Sequence, residues 1–280
     1  MKKMMIFGII LELTGSLMAG DDIKPDQIIE YKQTAETNLT LHVFFPPGHS
    51  GSDKDPAIVF FFGGGWVAGS PKQFYPQSKY LASRGMVSIC ADYRVSSRHH
   101  TPPMVCVKDG KSAIRWVRRH AEKLGIDPNR LAAGGGSAGG QVAAAVALDK
   151  GFNEEGEDLT ISCRPDALVL FNPVIDNGPD GFGYDWVQKY WHEFSPIDNI
   201  RNNPPPTLFQ VGTIDKHIPV ETAERYNDEM TSVGGRCDLI LYKDQPHGFF
   251  NGAKYTETLM EMDKFLVSLG YLKGDSVLKP

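Results

Sequence analysis

Leu131-Ala132-Ala133-Gly134-Gly135-Gly136-Ser137-Ala138-Gly139-Gly140 decides how this chain folds. Leu131 to Ala133 is a short apolar run that reads as a strand and runs straight into glycines. Ala138 to Leu148 is rich in alanine, the strongest helix former, and reads as a helix. Between them, Gly135 to Gly139 spells G-x-S-x-G in the strand–turn–helix context that this motif requires. A nucleophile on so sharp a turn has a strained backbone, and side chains at the flanking positions would clash with it. Glycine removes the clash. Such a turn lifts Ser137 Oγ out at the carboxyl end of the strand. The helix behind it offers unpaired N–H groups and its positive dipole end to a developing oxyanion.

Outward from this turn, short apolar runs alternate with helical patterns. Asn38 to Phe45 alternates polar and apolar residues, as a strand with one exposed face does. Ala57 to Phe62 and Met86 to Ala91 are continuous apolar runs, the mark of strands buried on both faces. Ala167 to Phe171, Thr207 to Val211 and Asp238 to Tyr242 read as three more strands. Val107 to Leu124, Pro219 to Ser232 and Tyr255 to Leu269 carry helical periodicity. The alternation predicts an α/β fold, with a mostly parallel central sheet and helices on both faces. Asp176 to Pro206 breaks the rhythm. It holds Tyr184, Trp186, Tyr190, Trp191 and Phe194, and reads as a short aromatic-rich insertion or lid with some helix of its own.

The balance of 29 basic and 34 acidic residues gives a net charge of −5, with no basic stretch, which argues against nucleic acid as a partner. Cys90, Cys106, Cys163 and Cys237 form no CxxC pair, so no zinc ribbon or thioredoxin-like motif is expected. Cys106 and Cys163 are candidates for pairing in an oxidising compartment, against the simpler reading of buried thiols. At the N-terminus, Lys2 and Lys3 precede the apolar Met4 to Leu11 and the small-residue end Ser16 to Gly20. This layout predicts a signal peptide over residues 1–20 and a secreted or periplasmic protein, although Glu12 interrupts the run. An ordinary N-terminal element, and a cytoplasmic protein, is the alternative. The run is too short for a stable membrane insertion, which takes ~18 or more apolar residues. Residues 21–280 then form a single domain, with no linker or repeat to divide them.

A serine nucleophile needs oxyanion donors, a base and an acid. Phe62-Gly63-Gly64-Gly65-Trp66 follows the buried Ala57 to Phe62 strand, and glycines at a strand end let backbone N–H groups approach a ligand closely. Together with the Ala138 N–H they form a candidate oxyanion site. Among eight histidines, His247 stands out in Gln245-Pro246-His247-Gly248-Phe249-Phe250, a loop just after the last strand. An imidazole there accepts and returns a proton near neutrality. His42, His49, His99, His100, His120, His192 and His217 read as ordinary surface or half-buried residues. Asp215 lies just after the Thr207 to Val211 strand, one helix and one strand before His247, and orients the imidazole. Asp244 and Asp185 are the rival acids. Asp92 and Arg94 are candidates for an ion pair that braces the glycine loop.

Taken together, Phe60 to Trp66 (FFFGGGW), Asp92 to Arg94 (DYR), Gly134 to Gly140 (GGGSAGG), Phe194 to Ile200 (FSPIDNI), Gly212 to Val220 (GTIDKHIPV) and His247 to Phe250 (HGFF) resemble the α/β-hydrolases of the hormone-sensitive-lipase and acetyl-esterase type. Bacterial carbohydrate-esterase-like members are especially similar. The resemblance covers about residues 30–270. It implies Ser137 as nucleophile, His247 as general base and Asp215 as its partner, with the N–H groups of Gly64, Gly65 and Ala138 as the oxyanion hole. It also implies that Trp66 and the insertion, with Trp186 and Trp191, lie near the acyl or alcohol pocket. The expected reaction is hydrolysis of a small-molecule or saccharide ester, with a short acyl group such as acetyl, through an acyl-serine. No metal or organic cofactor is expected. A serine peptidase of the same fold and a non-catalytic ligand-binding member are the alternatives. One departure stands out: the wider family often has His before the three glycines, and this chain has Phe62.

Overall fold

The computed structural model describes residues 23–278. The predicted signal segment, residues 1–20, lies outside them. The chain enters through two antiparallel strands, β1 (Gln27–Gln33) and β2 (Asn38–Phe44). Then come β3 (Asp55–Phe61), α1 (Tyr75–Ser83), β4 (Val87–Ala91), α2 (Ser96–His99) and α3 (Pro103–Arg119). β5 (Ile126–Gly136) leads into α4 (Ala138–Leu148), and β6 (Ala167–Phe171) follows. The insertion contributes two single-turn helices, α5 (Tyr184–Val187) and α6 (Trp191–Phe194). β7 (Thr207–Gly212), α7 (Val220–Ser232), β8 (Cys237–Tyr242) and α8 (Tyr255–Ser268) complete the fold.

All eight strands form one sheet in the order β1-β2-β4-β3-β5-β6-β7-β8. β2 pairs antiparallel with β4, and every pairing from β4 across to β8 is parallel. Alternate side chains of β3 divide between the two faces, as the period of two requires. Ala57, Val59 and Phe61 pack with Val107 and Ile114 of α3 and Val142 of α4. Ile58 and Phe60 face the other way, with Tyr75 and Leu81 of α1 and Met262 and Phe265 of α8. Both faces are therefore covered, which is why β3 from Ala57 and β6 are unbroken apolar runs, while β4 and β7 bury Ser88 and Gln210 within theirs. Among the described residues, no helix is long and apolar enough to cross a membrane.

Several boundaries differ from the sequence expectation. α3 starts at Pro103, not Val107, because Pro102 and Pro103 preset the entry and proline is tolerated in a first helical turn. It stops at Arg119, and Ala121 and Leu124 are buried in the turn beyond it. β5 starts at Ile126, well before Leu131, since exposed Pro128 and Asn129 hide its first half from a hydrophobicity reading. β1 and α1 were not legible: β1 is a polar edge strand defined by its pairing with β2, and α1 mixes buried Gln77 and Ser78 with its apolar residues. Asp92 and Arg94 do not pair. Asp92 binds Arg98 at 2.7 Å, while Arg94 is held by Asp109 at 2.8 Å, Glu154 at 3.0 Å and Glu36 at 3.1 Å. Cys106 and Cys163 are free, so the candidate disulfide is absent: Cys106 Sγ contacts the Arg94 carbonyl and Cys163 Sγ the Val146 carbonyl.

Candidate active site

Ser137 sits between β5 and α4 at φ 53° and ψ −122°, a conformation that non-glycine residues rarely adopt. Its surroundings explain why it stays there. The Ser137 N–H donates to the Phe171 carbonyl, and the Ser137 carbonyl accepts from Gln141 and Val174. A side chain at Gly135 would strike the Gly139 backbone, and one at Gly139 would strike the carbonyls of Phe61 and Phe62. The turn therefore closes against the carboxyl end of β3 only because these positions lack Cβ.

His247 Nε2 lies 2.8 Å from Ser137 Oγ, and His247 Nδ1 lies 2.7 Å from Asp215 Oδ2. The Asp215 side chain is fully buried, and its Oδ1 accepts the N–H groups of His217 and Ile218 at 2.8 and 3.0 Å. These bonds lock the carboxylate and leave Oδ2 for the imidazole. Asp244 and Asp185 are both exposed, and Asp244 occupies a turn in which its own N–H donates to Thr213 Oγ1. Of the three acids weighed from sequence, the structure brings Asp215 to the histidine.

Among the described residues, the N–H groups of Gly64, Gly65 and Ala138 donate no hydrogen bond. The loop that carries the first two is tied from both sides. The Gly63 N–H donates to Gln73 Oε1 at 2.6 Å, and the Tyr93 hydroxyl donates to the Phe62 carbonyl. Phe62 stacks on Tyr93 with ring centroids 4.0 Å apart, and Gly69 passes so close to the Phe62 ring that a Cβ would collide with it. Phe62 thus anchors the loop by stacking, at the position where the resemblance led one to expect His.

Trp66, Trp186 and Trp191 occupy three different settings. Trp66 is 1 % exposed, and its indole N–H donates to Gln141 Oε1 at 3.1 Å while Gln141 Nε2 donates to the Phe194 carbonyl. It builds the wall between loop, α4 and insertion, with its ring shut away from solvent. Trp186 is 48 % exposed and meets Trp66 edge-to-face at 6.2 Å. Trp191 packs on His192 and Tyr184 and lines a separate recess with Asp176 and Arg225, away from Ser137. Sequence reasoning also passed over His217, whose ring stands edge-to-face on His247 at 4.9 Å and on Phe182 at 5.2 Å. Burial, and then the neighbouring His247, hold its pKa below the ordinary value. Its place two residues after Asp215 was the available signal. Gln141 and Asn172 were missed as well, for buried amides leave no periodicity.

The family model described as BD-FAE matches residues 41–178, and the prolyl oligopeptidase family model matches residues 175–270. The apo form of Thermogutta terrifontis esterase 2 is 40 % identical, covering 91 % of this chain and 98 % of that one, with a TM-score of 0.87. The same esterase has been solved with propionate bound, with butyrate bound and phosphorylated by paraoxon. Esterase LipC of Mycobacterium tuberculosis is 29 % identical over 75 % of this chain and 58 % of its own length. The chain thus spans little more than half of this curated relative. An AB hydrolase superfamily protein of Schizosaccharomyces pombe is 32 % identical over 79 % of this chain and 72 % of its own length. With the parallel sheet, the serine turn and these relatives in agreement, the chain belongs to the α/β-hydrolase superfamily, of the hormone-sensitive-lipase and acetyl-esterase type.

Proposed function

We propose that this chain hydrolyses carboxylic esters of short acyl groups. The observation that carries the reading is the hydrogen-bonded line Ser137–His247–Asp215 beside three N–H groups without acceptors. Ser137 Oγ attacks the ester carbonyl carbon while His247 Nε2 takes its proton. Asp215 keeps the other ring proton on Nδ1 and stabilises the imidazolium that forms. The carbonyl oxygen, now an anion, receives hydrogen bonds from Gly64, Gly65 and Ala138. Collapse expels the alcohol, which leaves with the proton from Nε2, and Ser137 holds the acyl group. A water, deprotonated by His247, attacks the acyl carbon and releases the acid and free Ser137. Propionate and butyrate bound to the Thermogutta esterase support a short acyl group. The exposed face of Trp186 beside the site supports a ring-bearing alcohol, such as an acetylated saccharide.

The test is turnover of p-nitrophenyl butyrate and acetate release from acetylated xylan by wild type and Ser137→Ala. The variant is expected to lose about 10³-fold or more in kcat. Paraoxon is expected to add one diethylphosphoryl group at Ser137, read by peptide mass spectrometry. Undiminished turnover in the variant sinks the assignment. A peptidase is the second reading, supported by the prolyl oligopeptidase match over the segment that holds Asp215 and His247. Cleavage of p-nitroanilides at rates matching the esters would favour it.

A further inference from the structure

Asn172 follows β6 directly and is completely buried. Its φ of 35° lies on the positive side, where asparagine is enriched among non-glycine residues. Asn172 Oδ1 accepts the Gly248 N–H at 3.1 Å, and that bond fixes which end of the amide points where. The amide nitrogen therefore faces His247 Nε2, at 3.4 Å. This is the same ring nitrogen that meets Ser137 Oγ.

We propose that Asn172 is a positioning residue for His247: it tethers the histidine loop through Gly248 and sets its amide against Nε2, the ring nitrogen that meets Ser137. The inference rests on the reading of His247 as the general base. The groups facing the imidazole come from three other segments. Asp215, from the loop after β7, draws positive charge onto the ring, and His217 from the same loop repels it when protonated. Ser137, from the β5–α4 turn, and Asn172, from the end of β6, are the neutral polar neighbours. The positive end of the Asn172 N–H dipole points at Nε2. At 3.4 Å this N–H is too long to displace Ser137 as donor. It acts by holding the ring and its loop in place.

Asn172→Asp tests this directly, because it keeps an acceptor for the Gly248 N–H and replaces the facing N–H by a carboxylate oxygen. The acid limb of the kcat/KM profile on p-nitrophenyl butyrate is expected to move up by about one pH unit or more. Titration of the His247 ring protons by NMR reads the same shift without substrate. If the wild type cleaves no ester, the esterase reading fails while the NMR titration still judges Asn172. Asn172→Ser adds no charge and guards against a variant that does not fold. Its kcat on p-nitrophenyl butyrate is expected to fall by about tenfold with KM near the wild-type value, because the shorter side chain gives up the hold on Gly248 and Nε2. A folded Asn172→Asp whose acid limb and His247 pKa both stay at the wild-type values, or a folded Asn172→Ser with wild-type kcat, overturns the proposal.

Discussion

Two glycine-rich turns approach Ser137, and they are held by different means. The β5–α4 turn is held by close packing: backbone carbonyls and the Phe250 ring occupy the space where side chains at Gly135, Gly136 and Gly139 would stand. The Phe62 to Ser70 loop is close-packed at Gly64 and Gly69, where a Cβ would strike the Ala68 carbonyl and the Phe62 ring, but open at Gly65. Gly65 has no atom within 4 Å of where its Cβ would be, and Gly64, Val67 and Ala68 are exposed. Side chains from elsewhere hold this loop as well: Gln73, Tyr93 and Gln141. The serine is thus placed by steric necessity, and the loop opposite it by close contacts together with a hydrogen-bonded brace. Steric placement tolerates no added atom, whereas a brace weakens bond by bond.

The same one-carbon change in the two turns separates them. Gly139→Ala is expected to have the largest effect, because the new methyl meets backbone carbonyls of β3 that no rotamer change can move. Overpacking of this kind costs about 3 kcal/mol. A drop of that size in urea-unfolding stability, with p-nitrophenyl butyrate turnover nearly lost, would bear the contrast out. Gly65→Ala meets no neighbour, only the penalty of φ 63°, so about 1 kcal/mol is expected, with activity within about tenfold of wild type. Equal losses in the two variants would break the comparison.

The smallest effect concerns the footing of the brace. Tyr93, which holds the Phe62 carbonyl, is followed by Arg94, and Arg94 is bound by Asp109 and Glu154. Burial pushes the Glu154 pKa up, but the Lys32 hydrogen bond and the charges of Lys32, Lys108 and Arg94 outweigh it and hold the carboxyl at about 2. A carboxyl depressed in the fold contributes stability that is complete above its unfolded pKa, near 4.5, and lost as pH falls toward about 2. Glu154→Gln is therefore expected to lower stability by under about 1 kcal/mol at pH 7. Thermal melts should show the gap closing between pH 4.5 and 2. A gap that persists at the acid end would show that Glu154 acts through shape and not charge.

Legibility followed the physics of each element. β3, β4, β6 and β7 are buried on both faces, so composition alone marked them. β1 escaped notice because an edge strand is defined by its partner, and Lys32 in it answers to Asp109 and Glu154, 77 and 122 residues away. Ser137, Asp215 and His247 were legible because each follows a strand closely, and a parallel sheet gathers such ends at one edge. Arg94 was paired wrongly from sequence, since Asp92 points to Arg98 and not to its near neighbour. Trp66 and Trp191 were placed near the pocket by the resemblance; packing puts Trp66 in a buried wall and Trp191 in a recess with Asp176 and Arg225.

The sequence by itself determined the layered sheet, the strained serine turn and the order of the reactive residues. Those features rest on hydrophobic period and on glycine, which act over a few neighbouring residues. Only the tertiary structure decided which acid reaches His247, that Phe62 stacks on Tyr93, and that Asn172 faces Nε2. A hydrogen bond or a ring contact depends on where two distant segments meet, and local pattern carries no record of that.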